Sequence, residues 1–113
     1  MIRLGAGLLI ALLAACAAHD DADGVVAAAV RGDPERMQVL LDGGGDPDGV
    51  DREGQTALAL ATERGYERVV MMLLERGADP NARCDGCASP LAIALERGHL
   101  HIARLLRAAG GRD

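Results

Sequence analysis

DREGQTALALATERGYERVVMMLLERGADPNAR, residues 51–83, decides how the rest of the chain is read. Shifted by 33 positions in either direction, it falls largely on the sequence around it. Gly32, Gly65 and Gly98 align, as do Gly44, Gly77 and Gly110. Leu58 aligns with Leu91, Asp46 with Asp79 and Pro47 with Pro80. A fixed period of this length marks an array of supersecondary units, none of which can bury its apolar face alone.

Inside the quoted unit, Asp51-Arg52-Glu53-Gly54 makes a turn in which Gly54 is free to take a positive φ. Thr56 is placed to cap a helix over residues 57–64, with Leu58, Ala61 and Thr62 at the spacing of a buried face. Gly65 breaks that helix. A second helix over residues 67–76 offers Val69, Val70, Leu73 and Leu74 to a core, and Gly77 ends it.

The flanking units follow the same plan. Residues 24–31 predict a short helix closed by Gly32. Asp33-Pro34 then supplies an N-cap and a first-turn proline for a helix running to Leu41, stopped by Gly43-Gly44-Gly45. Asp46-Pro47-Asp48-Gly49 is turn chemistry. On the other side, Cys84-Asp85-Gly86-Cys87 is a turn and Ser89-Pro90 opens an inner helix with Leu91, Ile93, Ala94 and Leu95. Gly98 separates it from a last helix over residues 100–108, and Gly110 follows.

At 113 residues the chain allows one small domain. Half of it is apolar, yet Tyr66 is the sole aromatic residue. A core of Ala, Leu, Val and Met suits thin helices packed close together. The net charge of -5 makes nucleic acid an unfavourable partner, because the phosphate backbone needs a basic face. There is no G-x-S-x-G, no Walker loop and no H-E-x-x-H, so no catalytic residue, metal site or cofactor is expected.

Residues 1–15, MIRLGAGLLIALLAA, read as a secretory signal peptide: Arg3 near the start, about ten apolar residues, then small ones. Leu13-Ala14-Ala15-Cys16 resembles a bacterial lipobox, which implies cleavage before Cys16 and a diacylglyceryl thioether on its sulfur. Acyl chains contribute ~0.8 kcal/mol per buried CH₂, so several anchor a protein firmly. Ala17 in place of Asp after the cysteine favours the outer membrane over the inner. Cleavage after Ala17 is the alternative, and would leave a soluble periplasmic protein. Residues 16–23 are a short polar tether, and 24–113 form the repeat domain, divided at 24–50, 51–83 and 84–113.

The repeats resemble the ankyrin unit, D-x-x-G-x-T-P-L-H-x-A-x-x-x-G-x-x-x-V-V-x-L-L-L-x-x-G-A-D-x-N. The central unit matches at Asp51, Gly54, Thr56, Leu58, Ala61, Gly65, Val69, Val70, Leu73, Leu74, Gly77, Ala78, Asp79 and Asn81. The third matches at Pro90, Leu91, Ala94, Gly98, His99, Leu100, Ile102, Leu105, Leu106 and Gly110. Ala57 stands for the usual Pro, Ala59 and Ala92 for the usual His, and Cys87 for the turn Gly. The resemblance implies an all-α solenoid of helix-turn-helix units with short hairpin loops, working as a protein-binding module and not as an enzyme. It places contacts at the hairpin tips and on the open side of the inner helices: Arg52, Glu53, Gln55, Glu63, Arg64 and Arg83, then Asp85, Ala88, Glu96 and Arg97. Tyr66, beside a helix joint, is either an interface anchor or a partly covered surface residue.

In a turn, Cys84 and Cys87 bring their Cα atoms within about 7 Å, close to what a disulfide accepts. Export would place them in an oxidising compartment. A structural bridge is one expectation; a free or redox-active pair is another. Zinc held by both cysteines with His99 and His101 suits the residue types, but an intervening helix separates the pairs by at least ~10 Å. The expected protein is thus a lipid-anchored, periplasm-facing module, a marginally stable monomer that binds another protein. A redox-linked envelope factor using Cys84 and Cys87 is the competing reading.

Overall fold

A computed structural model of the chain describes residues 24–113. The signal peptide, the lipobox at Cys16 and the tether expected before Gly24 lie outside the described residues. Those residues form six α-helices: α1 (Val25–Arg31), α2 (Pro34–Asp42), α3 (Ala57–Arg64), α4 (Glu67–Glu75), α5 (Pro90–Glu96) and α6 (Leu100–Ala108). Each repeat is a pair, α1 with α2, α3 with α4 and α5 with α6. The inner helices α1, α3 and α5 pack in one layer, and the outer helices α2, α4 and α6 in a second. This is the all-α solenoid the period predicts, with a continuous core between the layers.

Helix starts follow the local chemistry. Oδ1 of Asp33 accepts from the Arg36 amide at 3.1 Å, Oγ1 of Thr56 from Ala59 at 3.0 Å and Oγ of Ser89 from Ala92 at 3.1 Å. Pro34 and Pro90 sit in first turns, where the missing N–H costs nothing. Helices α4 and α6 begin at Tyr66 and His99, whose side chains cap nothing. Their rings are used elsewhere. Ends differ from expectation by one residue: α2 continues to Asp42 and α4 stops at Glu75.

The core runs through Met37, Leu58, Val69, Val70, Leu73, Ile102 and Leu106, all closed to water. The middle repeat is covered on both sides, so six of the eight residues of α3 are buried, more than a single stripe would give. Leu74 is a correction: it is only half-buried, because it lines an open groove between α4 and α6. Ile93 and Leu95 are also less covered than the inner-helix pattern predicts. Among the described residues no further repeat packs over them.

Between α2 and α3 a small hairpin projects. Val50 and Thr56 form a single antiparallel bridge, the Asp51 amide donates to the Gln55 carbonyl at 2.9 Å, and Gly54 donates to Asp51 at 3.1 Å. Gly54 has φ +85°, as the turn requires. In the third repeat Cys87 occupies the register of Gly54, and the positive φ moves one residue earlier, to Gly86 at +76°. That shift lets a cysteine stand where the other turn needs glycine.

Candidate protein-binding surface

Successive repeats are joined by contacts offset by roughly one period. The ring of Tyr66 lies over Gly32, so that a Cβ placed there would stand 2.7–2.8 Å from three ring carbons. One repeat on, the ring of His99 lies over Gly65, 2.9 Å from the same imagined atom, with Nε2 3.3 Å from the Glu63 carbonyl oxygen. Glycine is needed at both places twice over, for the approach of the ring and for φ values of +67° and +76°. Tyr66 is half-buried and packs against the core, so its main contact is with the preceding repeat. His99 is likewise engaged by its own fold. Among the described residues no group of three His, Cys, Asp or Glu side chains assembles for a metal.

Ion pairs and loop clips run along the same joints. Arg97 donates to Glu63 at 3.2 Å, and Arg76 pairs with Asp42. The Arg76 hydrogen bond holds the Asp42 carboxyl below its usual range. In the hairpin layer, Oδ1 of Asp48 accepts from the Asp79 amide at 2.7 Å, and Oδ1 of Asn81 from the Arg112 amide at 2.8 Å. Asn81 also donates through Nδ2 to the Gly110 carbonyl at 3.1 Å. Equivalent residues, 33 apart, thus clip equivalent loops.

The sequence-predicted contact residues divide into two groups. Glu63 and Arg97 hold each other, Tyr66 covers Gly32, and Gln55 is half-buried with its backbone tied to Asp51. Arg52, Glu53, Arg64, Arg83, Asp85 and Glu96 are exposed, and their side chains make no hydrogen bond or ion pair among the described residues. Arg52 and Glu53 sit at the tip between α2 and α3, Arg83 and Asp85 at the tip between α4 and α5, while Arg64 and Glu96 end inner helices. The surface they form mixes both signs of charge.

Cys84 and Cys87 lie with their sulfurs within bonding distance and their Cα atoms 5.2 Å apart. The Cys87 amide donates to the Cys84 carbonyl at 3.0 Å, closing the turn. Cys84 also packs on the preceding tip, 3.3 Å from where a Cβ on Gly54 would stand. The pair precedes the cap of α5 by two residues, so it sits outside the first turn of that helix.

A cleft of about 610 Å³ lies at the first repeat, lined by Val25, Val26, Val39, Leu40, Val50 and glycines. Among the described residues that line it, only Asp46 ionises, so these present no acid-base pair or nucleophile. A search of curated proteins returns no match. The family model for ankyrin repeats matches residues 25–113 as three copies, and the chain belongs to the ankyrin repeat family.

Proposed function

We propose that this chain is an exported, lipid-anchored ankyrin-repeat module that binds another protein through its hairpin tips and the open ends of its inner helices. Ankyrin repeats generally mediate protein–protein interaction and are typically non-enzymatic scaffolds. The observation that carries the reading onto particular residues is the division of the charged side chains. Those at the tips are exposed and uncommitted, while those at the joints are spent on the stack. Export and the thioether at Cys16 rest on the signal-like residues 1–15 and the Leu13-Ala14-Ala15-Cys16 run. They place the module in the periplasm, on the outer membrane, as a tether for its partner. Cys84 and Cys87 serve in this reading as a brace for the third tip, held against Gly54.

The binding reading is tested by pull-down from envelope extracts. The wild-type chain is compared with a variant carrying Arg52→Glu, Glu53→Lys and Arg83→Glu. Capture of a partner by the wild type and its loss in the variant, with an unchanged melting curve, supports the assignment. Equal capture by both moves the interface away from the tips. Mass spectrometry of the mature protein from membranes tests the anchor: a chain beginning at Cys16 with added acyl mass is expected, and one beginning at Ala18 refutes it.

A further inference from the structure

Among the described residues both ends of the stack are open, and they are open in complementary ways. At the last repeat, Ala92, Ile93 and Leu95 occupy the register of Ala59, Leu60 and Thr62. The three residues in the middle repeat are buried, Thr62 completely, on the helix against which α5 packs. Leu95 is 37% exposed. A capping repeat usually turns polar on its outer face to stay soluble. Here the opposite occurs: the uncovered position carries leucine where the covered one carries threonine. At the first repeat, Leu40 is half-exposed while its equivalents Leu73 and Leu106 are closed to water, and Val39 beside it is 60% exposed.

Three further details match one end to the other. The joint between the second and third repeats uses Arg97 on Glu63, an offset of 34. Carried one repeat further, the acid is Glu96, and the arginine falls on the register of Arg31 in a first repeat. Both are exposed and make no ion pair among the described residues. Gly98 repeats the left-handed conformation of Gly32 and Gly65, at φ +75°, but among the described residues nothing lies within 4 Å of its missing Cβ. Its seat is vacant. Asp33 holds the register of Tyr66 and His99, so an incoming first repeat fits the seat without a ring, and the joint is weaker than those within the chain.

We infer that the last repeat of one copy docks the first repeat of a second copy, head to tail, continuing the stack in the same register with Glu96 of one chain on Arg31 of the next. Such a contact is heterologous and does not close, so it builds short rows and not a symmetric dimer. The monomer expected from the sequence is then its dilute state.

Sedimentation velocity of the full-length chain in detergent micelles, over a range of concentrations, tests this. The wild type is expected to shift from single copies toward dimers and longer rows. Arg31→Glu and Glu96→Arg each replace an attraction by a repulsion and should each weaken association about tenfold. Their equimolar mixture, and the double variant, restore an opposite-charge pair at every joint and should associate like the wild type. Circular dichroism melts of each variant confirm folding, since both positions are exposed. A wild type that stays single at every concentration overturns the inference. So does association whose concentration dependence either single reversal leaves unchanged, as contact through residues 1–23 or a symmetric end-to-end dimer would.

Discussion

Replacing Gly32 by alanine isolates the contact that joins the first two repeats. Two costs combine at that position. The backbone sits at φ +67°, where an L side chain loses roughly 1–2 kcal/mol, partly offset by the reduced freedom of the unfolded chain. About 1 kcal/mol remains. The new methyl would also stand 2.7 Å from Cζ of Tyr66, so the ring must leave the glycine or the helices must part. Overpacking of this kind costs about 1–3 kcal/mol. The sum is about 2–4 kcal/mol, which in a domain of this size lowers Tm by roughly 10–25 °C. Gly98→Ala is the matched control. Its φ is +75° and no described residue lies within 4 Å of its Cβ, so only the backbone cost applies, and Tm should fall by roughly 4–8 °C. Far-UV circular dichroism melts at dilute concentration measure both. Adding Tyr66→Ala to Gly32→Ala should recover part of the loss, as expected of residues in contact. Equal shifts for Gly32→Ala and Gly98→Ala would refute the ring-over-glycine account.

Thr62→Val should stabilise the domain by about 1 kcal/mol, because its hydroxyl is fully buried with no partner and valine keeps the shape; a higher Tm by a few degrees checks it. Reducing Cys84–Cys87, or replacing both by serine, should cost at most about 2 kcal/mol, since the bridge closes only a short loop; melts with and without reductant measure this. Asp42 has a folded pKa below its unfolded one, so its stabilisation is full above the ordinary carboxylate range and is lost as pH falls through the lowered value. Asp42→Asn should therefore flatten the acid limb of a stability-versus-pH curve while leaving the shape near neutrality unchanged.

The helices and their starts were readable because their signals are local. Asp33-Pro34, Thr56 and Ser89-Pro90 cap where the sequence places them. The glycine register likewise marks the ends of α1, α3 and α5 within a residue. The joints were not readable in the same way. A 33-residue period says which residues are equivalent, not which ones touch across a boundary. The observed contacts fall at offsets of 34 for Arg97 with Glu63, 36 for His99 with Glu63 and 31 for Asp79 with Asp48. These depend on the lean of one helix pair on the next. For that reason the sequence pattern did not show that Glu63 and Arg97 pair with each other, or that the partly covered Tyr66 lies over Gly32. Exposed tip residues needed only the turn pattern, so Arg52, Glu53, Arg83 and Asp85 stand where expected. Leu74, Ile93 and Leu95 fit the apolar pattern of their helices, but their covering depends on neighbours the pattern does not count.

The repeated joint chemistry also describes how such a chain can lengthen. A second copy of the middle unit, inserted at the boundary after Arg83, would meet familiar neighbours on both sides. Its Arg64 would face Glu63 as Arg97 now does, and its Tyr66 ring would find Gly65 as His99 now does. Its own Glu63 and Gly65 would in turn receive Arg97 and His99. Even the outer layer keeps an acid for the added Arg76, with Glu75 in the register of Asp42. Gene duplication of a single 33-residue unit therefore adds a joint without redesigning one, and growth from the middle is easier for this molecule than growth from either end.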